Sequence, residues 1–191
     1  MRLSAADAKV VLRDVKALET SSANDRFTFI QTDVTKYDAV VNLFNTAFVA
    51  HGRIDYAISN AGLVEIGQLF ATGDSDDTIR ERPNTAILDV NLKGTIFVAR
   101  VAVHYLQRSL AHNASSQKDA SILLVSFVAG FGNWPSLQYS ARKHGVMGLF
   151  HSTKDFLYGT EGIRVNAVLP NMTGMPKPLS LDKKRVRRSK C

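Results

Sequence analysis

Cysteine is nearly missing from this sequence. Its one instance, Cys191, is the last residue, so an internal disulfide is excluded and the usage fits a reducing compartment. Long hydrophobic runs are missing too: the longest, near Ile122–Gly132, is too short to cross a bilayer. No basic segment followed by an apolar one opens the chain, which removes the pattern of a secretory leader. A soluble, cytoplasmic protein is expected, with no membrane contact.

What is present fits one globular domain. The chain has 191 residues, 45% of them hydrophobic, enough for a sizeable core. A charged fraction of 21% argues against disorder. The net charge of +7 is concentrated at one end, because residues 177–191 hold seven Lys or Arg and one acid, Asp182. The first 176 residues therefore carry only +1. Such a charge run suits nucleic acid or nuclear import, but here it reads as a solvated tail, and nucleic acid is not an expected partner.

Taken in order, the chain alternates between two periodicities. Ala8–Val15 is a short apolar run ending in an acid, Asp14, and reads as a buried strand. Phe27–Val34 is rich in β-branched and aromatic residues and reads as a second strand. Thr35 is the expected N-cap of a helix with Asp38 in its first turn; Val40, Phe44 and Phe48 repeat every four residues, and His51-Gly52 ends it. A third strand is expected at 54–59, then a turn at Asn60-Ala61-Gly62. After a loop at 67–77, a long helix is expected from Pro83 to His112. The fourth strand is Ser121–Ser126, the loop at 130–137 is rich in Gly and Pro, a helix covers 138–158, and the fifth strand is Gly162–Val168.

Strands alternating with helices predict right-handed βαβ units in a doubly wound parallel sheet of three layers, an α/β Rossmann-like fold. Ligands in such sheets lie beyond the carboxyl ends of the strands. Asp14, Asp33, Asn60, Ser126 and Leu169-Pro170 all fall at those ends.

The chemistry centres on Tyr139-Ser140-Ala141-Arg142-Lys143. Tyr139 and Lys143, four apart, share one face of a helix. An ammonium beside a phenol favours the phenolate. A phenol so tuned can give a proton to a carbonyl oxygen or take one from an alcohol.

Taken together, these residues resemble the short-chain dehydrogenase/reductase family from about Lys9 to Pro176. Ser59-Asn60-Ala61-Gly62 looks like the family's Asn-Asn-Ala-Gly turn, Asn91 in Val90–Gly94 matches its helix asparagine, and Asp33-Val34 looks like its adenine-side pair. Ser126, Tyr139 and Lys143 stand in the order of its catalytic set. The wording around Gly130–Pro135 and Lys143–Val146 is most similar to reductases of fungal secondary-metabolite clusters. The resemblance implies hydride transfer between nicotinamide and a hydroxyl or ketone carbon of a small apolar metabolite of polyketide or terpenoid type. It implies Tyr139 as acid/base and Lys143 as the residue that tunes it and holds the nicotinamide ribose. Ser126 would position the substrate oxygen and Asn91 support a water-linked proton path. NAD or NADP would lie against Asp14, Asp33, Val34, Asn60, Ala61, Gly62, Lys93, Tyr139, Lys143 and Thr173. A carboxylate at Asp14 favours NAD, whereas Arg13 beside it suits a 2′-phosphate. No metal is expected; a homodimer or homo-oligomer is.

The sequence departs from the family in four places. Met1–Ala8 holds no glycine, so the first strand and its Gly-rich, pyrophosphate-binding turn are expected to be missing from between the strands at 8–15 and 54–59. Thirteen residues back from Tyr139 lies Ser126, whereas counting back from Gly130 puts Phe127 at the serine's place. Pro170 is followed by Asn171, and the family's nicotinamide-contacting threonine falls at Met175, with Thr173 nearby. The last strand is not recognised: residues 1–176 read as an incomplete Rossmann-like domain and 177–191 as the basic tail. Two functions remain open, an NAD(P)-dependent oxidoreductase or a catalytically impaired relative serving as a binding or dimerising module, or a gene relic.

Overall fold

A computed structural model describes residues 9–14, 27–63, 75–76, 78–112, 119–127 and 137–170. The bulk of the expected loops at 67–77 and 130–137, and the tail, lie outside them. From β2 onward the described strands are separated by helices. They are β1 (Val10–Asp14), β2 (Phe27–Gln31), α1 (Tyr37–His51), β3 (Tyr56–Ser59), α2 (Ala86–Leu88), a π-helical turn (Asp89–Lys93), α3 (Gly94–His112), β4 (Ser121–Val125), α4 (Leu137–Glu161) and β5 (Arg164–Val168).

Among the described residues all strand pairing is parallel, in two sheets. One has the order β1-β2 and the other β3-β4-β5. In the larger sheet Tyr56 pairs with Ser121, and Ser121 with Arg164. Ala57, Ile122 and Val165 therefore point to one face, where they are buried. The same core takes Val40, Leu43 and Phe44 from α1, Val98, Val101, Ala102, Tyr105 and Leu106 from α3, and Val146 and Leu157 from α4. The described helices thus form one layer of the doubly wound arrangement. On the opposite face Tyr56, Ile58 and Val168 are 60%, 48% and 46% exposed.

Element ends follow local hydrogen bonds. The second strand stops at Gln31, short of the expected Val34, because the Thr32 hydroxyl turns back onto the Ile30 carbonyl (3.1 Å) and Lys36 N–H closes a turn onto Asp33 O (3.1 Å). Thr35 is not the N-cap: its N–H and hydroxyl both go to the Asp33 carboxylate, and α1 starts at Tyr37 behind Lys36. Pro83 does not open a helix, since Asn84 Oδ1 accepts from Ala86 N–H (3.0 Å) and delays the start. Two glycines in the left-handed region end helices, Gly52 (φ 74°) after α1 and Gly162 (φ 69°) after α4, each turning the chain into the next strand.

Candidate active site

The carboxyl end of β4 meets the first half of α4. Lys143 is buried there, and its Nζ donates to the carbonyl oxygens of Ser126 (2.9 Å) and Val125 (3.4 Å). Ser126 is also buried, and its hydroxyl donates to the main-chain carbonyl of Lys143 (3.2 Å). Burial first, and the Arg142 charge second, bring the Lys143 pKa down to about 8. Tyr139 lies one turn earlier on α4; its side chain is outside the described residues, as is that of Asp14 at the end of β1.

The second wall is the π turn, which packs against α4. Such wide turns inside helices recur at functional sites. Asn91, buried at its centre, clamps the turn after β3: its Oδ1 accepts from Leu63 N–H (2.7 Å) and its Nδ2 donates to Leu63 O (2.9 Å). The Asn91 carbonyl takes the Thr95 hydroxyl (2.9 Å), which in turn receives Ser59 Oγ (3.2 Å). Asn60, Ala61 and Gly62 are thereby held between the end of β3 and the π turn. Leu63 and Thr95 escaped the sequence reading; the four-residue spacing of Asn91 and Thr95 was the available signal.

Two glycines allow these walls to approach. A Cβ on Gly94 would lie 2.8 Å from Val34 Cγ2 and 3.0 Å from Val34 Cβ. A Cβ on Gly145 of α4 would lie 2.9 Å from both methyls of Leu92. Val34 is therefore a buried packing residue against α3. Beside it, the Asp33 carboxyl is held below its usual range by the N–H and then the hydroxyl of Thr35, with Lys36 adding to the shift.

The remaining expected residues fall less centrally. Lys93 is half exposed and paired with Asp89 one turn earlier, across the π turn. Thr173 lies outside the described residues. Among those residues there is no group of three metal-ligating side chains, and no helix is long and apolar enough to cross a membrane.

The α/β fold with its parallel sheet agrees with the comparisons. Residues 1–183 match the short chain dehydrogenase family, and the chain belongs to it. It is 32% identical over 167 residues to the short-chain dehydrogenase/reductase ascJ of Acremonium egyptiacum, covering 87% of this chain and 55% of that protein. It is 30% identical over 174 residues to prx7 of Penicillium rubens, covering 87% and 60%. The chain thus spans little more than half the length of these relatives. Among solved structures, ElxO with NADP bound matches with a TM-score of 0.62 and 26% identity, over 78% of this chain and 54% of that one. A short-chain dehydrogenase from Streptomyces avermitilis shares the fold, with a TM-score of 0.70 over 90% and 60% of the two chains.

Proposed function

We propose that this chain is the cofactor- and proton-handling part of an NAD(P)-dependent oxidoreductase acting on a hydroxyl or ketone of a small apolar metabolite. The observation that carries the reading is the seat of Lys143: its ammonium lies buried at the carboxyl end of β4, on a helix that packs against the π turn carrying Asn91. A buried donor that now meets carbonyl oxygens is chemically suited to ribose hydroxyls, and the anionic Asp33 and the Asn60–Gly62 turn suit the adenosine side. When bound, the nicotinamide would supply the hydride chemistry. Tyr139 would hand a proton to the carbonyl oxygen or take one from the alcohol, and the Lys143 charge would favour its phenolate. Asn91 would keep the turn after β3 in place.

The chain's likeness to the short-chain dehydrogenase/reductases ascJ and prx7 supports the oxidoreductase class; a metabolite of polyketide or terpenoid type is the substrate we propose. ElxO binds NADP, which does not support the NAD preference expected from Asp14, so both cofactors belong to the proposal. A homodimer and a cytoplasmic setting complete it. The test is NADH- and NADPH-linked reduction of a panel of apolar ketones, with calorimetry of both cofactors. Turnover abolished by Tyr139→Phe supports the reading; turnover indifferent to it overturns it.

A second reading, a non-catalytic relative that binds or dimerises, is favoured by one observation. The sheets β1-β2 and β3-β4-β5 share no ladder among the described residues. Cofactor binding without turnover on any ketone of the panel would support it.

A further inference from the structure

Thr95 is buried at the start of α3, immediately beyond the π turn, and Ser59 is buried at the end of β3. The Thr95 hydroxyl donates to the Asn91 carbonyl (2.9 Å) and accepts from Ser59 Oγ (3.2 Å). The direction of this chain is fixed by chemistry. A carbonyl can only accept, so Thr95 spends its one proton on Asn91 and is left to accept from Ser59.

Asn91 and Thr95 are four apart, so they share one face of the helical segment. Asn91 holds Leu63 through both its N–H (2.7 Å) and its carbonyl (2.9 Å). Thr95 holds Ser59. The three-residue turn Asn60–Gly62 is therefore bracketed, one end on each of two side chains from a single helical face. Little else orders it. Among the described residues β3 shares a ladder with β4 alone, and that ladder stops at Ser59, opposite Leu124. Asn60 and Gly62 are exposed and Ala61 is half-buried, so packing does not pin the turn.

We propose that Thr95 is a positioning residue for this turn: acting through Ser59, its hydroxyl keeps Asn60–Gly62 ordered and so sets the affinity for NAD(P). The proposal rests on the reading of that turn as a cofactor contact. A turn ordered before binding offers its full affinity. One that is ordered only part of the time loses apparent affinity in proportion to that fraction.

The experiment compares the native chain with Thr95→Val, which keeps the shape and drops the hydroxyl, and Thr95→Ser, which keeps the hydroxyl. Amide hydrogen exchange by NMR follows Leu63, whose N–H is bonded to Asn91 Oδ1, beside the amides of β4 and β5. Calorimetry and steady-state kinetics follow NADPH. In Thr95→Val the Leu63 amide should exchange faster by a larger factor than those of β4 and β5. The Kd for NADPH should rise about 5–10-fold, with KM for NADPH rising more than kcat falls. Thr95→Ser should restore the native values. Ser59→Ala should reproduce the Thr95→Val pattern, and the double variant should exceed neither.

Unchanged exchange at Leu63 in Thr95→Val overturns the proposal, as does acceleration spread equally over Leu63, β4 and β5, which would make Thr95 a support of the whole fold. A loosened turn with an unchanged Kd for NADPH overturns it as well. If Thr95→Val does not fold, Ser59→Ala decides by the same measurements; failure of both to fold overturns the proposal, because the pair would then serve the entire sheet. Exchange needs no cofactor, so a native chain that binds neither NADH nor NADPH, yet loosens at Leu63 in Thr95→Val, overturns the oxidoreductase reading while the hold of Thr95 on the turn stands.

Discussion

Ser126 and Lys143 hold each other reciprocally: the Lys143 ammonium donates to the Ser126 carbonyl, and the Ser126 hydroxyl donates to the Lys143 carbonyl. The two residues are seventeen apart in sequence, so this clasp fixes the end of β4 to the second turn of α4. The serine hydroxyl is thereby bonded to main chain and buried.

Replacing these residues should separate their roles. Tyr139→Phe is expected to lower turnover by roughly 10²–10⁴-fold, and Lys143→Met to lower it comparably. Ser126→Ala should act chiefly on stability, costing about 0.5–1.5 kcal/mol for one lost hydrogen bond. Steady-state kinetics beside urea unfolding will tell; a Ser126→Ala loss in kcat equal to that of Tyr139→Phe would place the serine in the chemistry.

The Asn91 clamp predicts a different signature. Asn91→Asp removes the donor to Leu63 O and sets a carboxylate against that carbonyl, leaving a buried group unsatisfied at about 1–3 kcal/mol. Stability and cofactor affinity should fall together, because the Asn60–Gly62 turn is released. Denaturation and calorimetry on one preparation measure both; a loss of affinity at unchanged stability would contradict this account.

Gly94→Ala should destabilise by about 1–3 kcal/mol, the usual cost of overpacking, because the new methyl meets Val34 at its Cβ as well as its Cγ2. Gly145→Ala should cost less, since it meets only the methyl ends of Leu92. Thermal unfolding of the two variants gives the order directly.

The strands were legible because short apolar runs bounded by polar turns leave few alternatives, and α1 because Val40, Phe44 and Phe48 repeat at helical spacing. The ends were not, because they hang on single side-chain hydrogen bonds from Thr32, Asp33 and Asn84 that leave the apolar rhythm untouched. The π turn was hidden for the same reason: Ile87, Asn91, Thr95 and Val98 are buried at the spacing an ordinary helix would show. Tyr139 and Lys143 stood out by their four-residue spacing only in company with the motifs before and after them. The clasp that immobilises Ser126 could not, since its partner is distant in sequence. Arg142 was visible as a charge between two motif residues, but its burial was not.

Stability should rise with pH through two groups in separate windows, each with a folded pKa below its ordinary value. Lys143 titrates lower in the folded chain, near 8, than unfolded, so between about 8 and 10.4 the unfolded chain binds more protons and stability rises with pH. Asp33 is also lowered, so its contribution is present at neutral pH and is lost as pH falls through its folded value. Unfolding of native, Lys143→Met and Asp33→Asn chains across pH checks both; a Lys143→Met chain that keeps the alkaline rise would contradict the first.

The uncovered face of β3-β4-β5 has a direction. At the amino ends of the strands Tyr56 and Arg164 both bind the Asp119 carboxylate, and Asn166 binds Ser121. At the carboxyl ends the same face carries Ile58 and Val168. One end of the surface is wet and charged, the other greasy. Any segment laid across it must carry the matching gradient along its own length, and one laid in reverse would strand a carboxylate under hydrocarbon. The sheet acts as a compass for whatever covers it.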